Sequence, residues 1–563
     1  MDEKRTHNGK SSAESVPATG VNPRNARLWA TLDNFVEHHF SLFAFLTLMF
    51  LVMLAWHHRF IQDDAFISFR YAKNFVAGKG LVWNAGEHVE GYTNFFWTLL
   101  IGLGMFFGID PVICSELLGL CCFVITLFAT YGITHRLIGR KSAGLLAILL
   151  LGTNYTFSCY ATGGLETQLQ AMLCTSAAFL MLRIERESTS DLSILVLSIT
   201  LVMAILTRLD SSIFCFIFFA WTVAILLRKE RQQRPVIPLS LLGLPLLLIV
   251  GAWLTWKYAY YGDILPNTFY IKASSDTSLG RGLNFLYLFF KSYILWPFAF
   301  LFFLGGNQIV RSGHRLIPVM AGIIFLWMTY IVKIGGDFME FRFLVPILPF
   351  FFIILTWMLF TTLRKPGIRL AGVLLIFFGS FLHAQNFKYT LDDRIEPIDD
   401  LTGHLYSPNQ HWVLIGETLG KDLHYDSTVT IATTAAGAIP YYSSLRSVDM
   451  LGLNDPWIAR FGVLISSIPG HQRIAPVEYL RQREVNLVVS HPLVLPLTTP
   501  VTQLPMLPGM TAEYSTHARV LEIPLDAQHK VVALYLHPHP AIDDAIARSG
   551  WIVREISQTP ILK

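Results

Sequence analysis

The chain has 563 residues, of which 53% are hydrophobic and only 15% charged. Its mean hydropathy is +0.48. Soluble domains carry about 25% charged residues, so this much apolar surface excludes a single soluble core. The formal net charge of +4 gives no case for nucleic acid as a partner.

In chain order, residues 1–38 read as a polar cytoplasmic tail. The first apolar run, Phe40 to Trp56, starts too late for a signal peptide and reads as an uncleaved anchor. Further apolar runs cover roughly 93–109, 112–134, 142–160, 165–182, 192–207, 211–227, 237–258, 283–305, 316–333, 343–363 and 370–384. At about 20 residues per crossing this predicts an odd number of spans, about 11–13. Residues 39–385 are therefore a multi-span domain. Residues 386–563 are more polar and hold short β-like runs, such as Thr428 to Thr433 and Val531 to Leu536, which predicts a soluble α/β domain.

Basic residues gather at 135–141, 183–186, 228–234, 311–315 and 364–369. Placed in the cytoplasm, these loops alternate with the spans from residue 142 onward. The opposite loops, 160–164, 208–210, 260–281, 335–342 and everything after 385, then lie outside. They hold most of the unusual polar residues near the membrane. Residues 93–134 look like two spans where the alternation needs an odd number of crossings. Either one segment is re-entrant or 135–141 lies outside.

The first outer loop begins Gln62-Asp63-Asp64-Ala65-Phe66-Ile67-Ser68-Phe69-Arg70-Tyr71. One aspartate suffices to N-cap a helix running to about Ala77, with Gly78 closing it. Capping does not account for two acids so close to a span, where charge is costly and points to function. A carboxylate in a partly dehydrated cleft suits general-base work, such as taking the proton of an attacking hydroxyl. Asp63, at the start of the loop, is placed ahead of Asp64, and His88 is the nearest rival. Glu90, Tyr92 and Asn94 sit where the chain re-enters the membrane. Glu166 follows Gly163-Gly164 at another outer helix end. Each reads equally as an interfacial cap or as a sugar contact.

Asn267 and Lys272 belong to Pro-Asn-Thr-Phe-Tyr-Ile-Lys, and Asp337 and Arg342 to Gly-Gly-Asp-Phe-Met-Glu-Phe-Arg. Lys272 and Arg342 lead as ligands of a donor phosphate, with Arg208 third. A lysine beside a span also snorkels without binding anything. His537-Pro538-His539 reads as a solvated loop before it reads as a metal site. The six cysteines, all in or beside apolar runs and without CxxC spacing, read as buried hydrophobes. The sequence calls for no cofactor and leaves a divalent metal undetermined.

Together these segments resemble the GT-C superfamily of membrane glycosyltransferases, and within it the mycobacterial terminal arabinofuranosyltransferases of the arabinan-capping B type. The resemblance rests on DDAFISFRYAKNFVAGKGLVWNAGEHVEGYTNFFW, GGLET, PNTFYIK, GGDFMEFRFLVP and VDMLGLNDPWIAR, from Asp63 to about His471. It implies a polyprenyl-phosphate sugar donor, a periplasmic glycan or glycoprotein acceptor, and catalysis by an acid of the Asp63-Asp64 pair. It implies strand-turn elements at 436–442 and 449–455, in a domain that assists acceptor binding. It also implies a bacterial inner membrane, with the site on the periplasmic side. A transporter or flippase of polyprenyl-linked glycans is the competing class. Transporters often show inverted repeats with polar residues at mid-membrane, whereas here the polar motifs crowd one face.

Overall fold

The protein is described as a computed structural model that covers residues 34–186, 190–229, 236–272, 278–363, 365–466, 468–501 and 518–556. It is a multi-pass membrane protein. Among the described residues, seven helices are long and apolar enough to cross a bilayer. They are Phe40–His57, Pro111–Ile138, Leu209–Arg228, Val236–Tyr261, Leu316–Ile334, Arg342–Thr361 and Pro366–Asn386. The expected span at 283–305 is a pair of helices bent by 108°. Three other expected spans are the shorter helices Phe95–Phe106, Lys141–Gly152 and Asp191–Thr207.

The ambiguity at 93–134 resolves in terms of the two ends of the bundle. Lys141 pairs with Glu37 at 3.5 Å, so loop 135–141 lies at the end where the first helix starts. Arg186 meets His314 at the same basic end. Helix Phe95–Phe106 begins at the opposite end, where Asn94 bonds Glu166 at 2.8 Å. It also finishes there, because Asp110 lies within electrostatic reach of Tyr441 and Tyr442 of the C-terminal domain. Twelve residues are too few for a crossing, and this helix is the re-entrant one. It packs along Asp63–Val76, with Gly102 facing Ala72, Phe75 and Val76.

The C-terminal region forms a mixed six-stranded sheet in the order β2-β1-β5-β7-β6-β8. Strands β1 (Thr430–Thr433), β2 (Arg446–Asp449) and β5 (Leu487–Pro496) run parallel. Strands β5, β7 (His529–Tyr535), β6 (Ala518–Pro524) and β8 (Ile552–Ile556) are antiparallel neighbours. A separate ribbon pairs β3 (Val463–Leu464) with β4 (Arg473–Ile474). Residues 436–442 correct the strand-turn expectation, because Ala438–Ser443 is a short helix. Its first N–H groups find a carboxylate of the membrane domain, which satisfies donors that a helix start otherwise leaves open.

Candidate active site

The two acids of the first loop part company in the fold. Neither caps the helix Asp63–Val76. That role belongs to Gln62, whose side chain accepts from the Asp64 N–H at 3.0 Å. Asp63 is buried and faces the C-terminal domain. Its Oδ1 accepts from Ala438 N at 2.7 Å and its Oδ2 from Gly437 N at 3.1 Å. Burial pushes the Asp63 carboxyl up to about 7 against the pull of those two donors. Only glycine fits at 437, because a Cβ there would lie 1.9 Å from the Asp63 carbonyl oxygen.

Arg70, two turns along the same helix, holds the other end of Ala438–Ser443. Its guanidinium donates to the Pro440 carbonyl, to Leu445 O at 2.7 Å, to Trp83 O at 2.8 Å and to Asn84 Oδ1 at 3.0 Å. An anion thus meets the start of the short helix and a cation its end, as the helix dipole favours. These bonds make Arg70 an interdomain strut and do not bring it to a substrate cleft.

Asp64 is half-buried and turns the other way. Its charge lies within reach of Arg342. Arg342 donates through Nε to Asp337 Oδ2 at 2.7 Å. Its two Nη groups meet no hydrogen-bond partner among the described residues. The backbone fixes this arginine in place: the preceding Phe341 has φ +44, an uncommon conformation for a bulky residue. Phe341 is held there by Phe285, Phe289, His383 and Phe387. The neighbouring Glu340 accepts from Ile398 N at 3.0 Å and pairs with His383 at 2.8 Å, pinning the loop to the C-terminal region.

Behind Arg342 lies a second set of charges. Arg208 forks onto Asp210 and reaches Glu166 Oε1 at 2.6 Å. Asn94 donates to Glu166 Oε2 at 2.8 Å and accepts from Ser68 and Thr98. The Gly163-Gly164 turn allows this convergence, since a Cβ at Gly164 (φ +77) would strike Ile61 and Ala65. Arg208 and Arg342 both lie over the Phe343 ring, at 5.3 and 5.1 Å. Asp64, Glu166, Arg208, Asp337 and Arg342 therefore form one cluster at the non-basic end of the bundle. The Tyr160 hydroxyl is buried within reach of Arg342 and has no hydrogen-bond partner among the described residues.

The remaining candidates stand apart from that cluster. Glu90 forms a buried pair with Lys257 at 2.8 Å. Tyr92 meets Tyr261 through their hydroxyls at 3.1 Å. Asn267 donates to Gly452 O and Leu453 O, tying the loop after Asp449 to the membrane domain. The side chain of Lys272 lies outside the described residues. His539 caps its own helix by accepting from Ala541 N. No group of three or more His, Cys, Asp or Glu residues among the described residues is arranged to hold a metal. A cavity of about 460 Å³ opens beside Phe60, between His57, His58, Arg59 and Tyr155 on one side and Ile398–Tyr406 on the other. It adjoins the first loop but is not lined by Asp63 or Asp64.

Sequence reasoning did not find Lys257, Tyr160 or the Gly437-Ala438 donors. Lys257 carries a visible signal, a lone lysine within an apolar run. The other two are visible only once the fold brings distant segments together.

Comparison with known proteins places this arrangement in context. A family model described as a domain of unknown function (DUF8728) matches residues 404–535. The terminal beta-(1->2)-arabinofuranosyltransferase of Corynebacterium glutamicum is 27% identical over 350 residues, 54% of this chain and 49% of that protein. Its namesake from Mycobacterium tuberculosis is 24% identical over 333 residues, 52% of this chain and 51% of that protein. The chain thus spans about half the length of the curated relatives it matches. The crystal structure of ArnT from Cupriavidus metallidurans bound to undecaprenyl phosphate superimposes with a TM-score of 0.55 at 12% identity. That match covers 88% of this chain and 98% of ArnT. The apo form of ArnT gives a TM-score of 0.51. The fold is of the GT-C type.

Proposed function

We propose that the protein is a glycosyltransferase that moves a sugar, arabinofuranose as the best-supported choice, from a polyprenyl-phosphate donor to a glycan or glycoprotein acceptor. The observation that carries this reading is Asp64 set within reach of Arg342, whose Nη groups meet no hydrogen-bond partner among the described residues. In the reaction, Asp64 takes the proton of the acceptor hydroxyl. The freed oxygen attacks the anomeric carbon, the bond from that carbon to the phosphate oxygen breaks, and polyprenyl phosphate leaves with the electron pair. Arg342 binds the phosphate and receives its growing charge, with Lys272 as the second cation. Arg342 is itself aligned by Asp337, and Arg208, Glu166 and Asn94 brace the far side of the cleft. The cavity under Ile398–Tyr406 suits the acceptor, since it offers two tyrosines and several hydroxyl, imidazole and carboxylate groups. The relatives' names and the bound undecaprenyl phosphate of ArnT support the donor and sugar classes. Charges gathered at one end of the bundle favour an enzyme over a transporter.

The deciding experiment offers purified protein radiolabelled polyprenyl-phosphate arabinofuranose with an arabinan acceptor. Label should pass to the acceptor. Arg342→Ala should weaken donor use by the worth of a charge-assisted contact, about 1.5–3 kcal/mol or roughly 10- to 150-fold in kcat/KM for donor. No transfer by the wild-type protein with any pentose or hexose donor would remove the enzymatic reading.

The same reading places the site and residues after 386 on the periplasmic side of a bacterial inner membrane, because the opposite end carries the basic loops. An alkaline phosphatase fusion after residue 390 should be active. A silent phosphatase there, with an active cytoplasmic reporter at the same position, would reverse the topology.

A further inference from the structure

One part of the C-terminal domain has the surface of a membrane protein. The segment after helix Pro456–Phe461 exposes Phe461 (65%), Leu464 (58%) and Ile465 (51%), with Val463 and Trp457 also open. Val463 and Leu464 are consecutive residues of β3, so their side chains leave opposite faces of the β3–β4 ribbon. In a soluble ribbon one of the two would be covered. Here both are bare, and two-stranded ribbons are marginal in water without a covered face. An exposed contiguous apolar patch of this kind marks a contact with a partner or a membrane.

The position of the patch selects between those partners. Arg460, next to Phe461, lies 4.0 Å over the Tyr270 ring, pairs with Asp263 at 3.1 Å and reaches Asn267. Those three residues belong to the segment that directly follows the Val236–Tyr261 span, Asn267 and Tyr270 on its short helix Asn267–Lys272. The segment adds its own exposed apolar side chains, Ile264 and Phe269. The span end carries Trp256, Tyr258, Tyr260 and Tyr261, the aromatic composition of a membrane–water interface. The bare ribbon thus continues the lipid-facing surface of a helix that crosses the bilayer.

We infer that the Phe461–Ile465 segment dips into the adjacent lipid leaflet and anchors the C-terminal domain to the membrane surface beside the Val236–Tyr261 span. Arg460 and Arg473 flank the apolar side chains, with Arg473 held by the Gly462 carbonyl at 2.7 Å. They suit the phosphates of the headgroup layer. The anchor fixes the height of the domain above the bilayer, and so the register of Gly437-Ala438 on Asp63. It depends on the membrane fold alone and not on the reaction proposed above.

The test uses the full-length protein in nanodiscs of phosphatidylcholine and phosphatidylglycerol. A spin label is placed at Leu464→Cys in a Cys121→Ser background, with a label at Asp544→Cys on the same domain as the aqueous reference. Collision with oxygen, which concentrates in lipid, should exceed collision with a water-soluble nickel chelate at position 464, and the order should reverse at 544. Ile465→Cys gives the same reading if Leu464→Cys folds poorly. A label at 464 that behaves like the one at 544 overturns the anchor. So does a label shielded from both reagents, which would indicate a protein contact instead.

Discussion

Asp64→Asn is expected to insert and fold like the wild type while losing sugar transfer by about 10²–10⁴-fold, the usual worth of a general base. The amide matches the acid in size but takes up no proton from an acceptor hydroxyl. Asp64 makes its capping contact through its own backbone N–H, which the substitution leaves in place. Asp63→Asn should behave differently. Both Asp63 oxygens accept from backbone N–H groups, and an amide offers one acceptor and sets an NH2 against the other donor. One bond between the domains is lost and one buried N–H is left open, at about 1–3 kcal/mol. Its melting temperature in detergent should fall, and transfer should fall only as far as the domains part. Transfer assays beside thermal melts of the two variants separate the roles. Normal turnover in Asp64→Asn, with a well-folded but inactive Asp63→Asn, would move the base to Asp63.

That division of labour marks the limit of what the sequence discloses. The spans, the acid pair, the Gly-Gly turn before Glu166 and the arginine of the Gly-Gly-Asp loop are local signals. Run length and the cost of charge near a membrane make them readable without a structure. Which acid meets the C-terminal domain is not local, because the partner of Asp63 lies 374 residues away. Adjacent residues on a helix point in different directions, but nothing in the first loop says which direction meets the C-terminal domain. Arg70 misleads for the same reason. An arginine in the acid-bearing first loop is a candidate substrate contact, yet carbonyls of Pro440 and Leu445 use it up. Residues 436–442 carry small residues and a proline that suit a turn, and a carboxylate from the other domain makes them a helix. The re-entrant helix Phe95–Phe106 shows in sequence only as a mismatch in the number of crossings over 93–134, and it takes the Glu37–Lys141 pair to place loop 135–141 and so settle which alternative holds.

Lys257→Met is expected to be the most destabilising single change among these buried groups. Lys257 and Glu90 are both almost wholly buried, at 2.8 Å from each other, and the lysine also lies 4.9 Å over the Trp253 ring. Removing one partner of a buried pair leaves an uncompensated charge and costs about 3–5 kcal/mol. Replacing both with neutral groups of similar size removes that charge, so Lys257→Met combined with Glu90→Gln should recover most of the loss. The penalty should also depend on pH. Burial already pushes the Glu90 carboxyl up to about 7, with Lys257 pulling it down. A carboxyl raised in the folded state binds its proton more tightly there than in the unfolded chain. Its stabilising proton is fully present below the unfolded value of about 4.3 and is lost as pH rises through the folded one. Without Lys257 the proton is the only remaining way to neutralise Glu90. The single variant should therefore melt much closer to the wild type at pH 5 than at pH 8, while the double variant shows little of that dependence. Melting curves of the three proteins in detergent at the two pH values measure this directly. A single variant that melts with the wild type at pH 8 would mean that Glu90 already carries its proton in the native protein, and that the pair is not an ion pair.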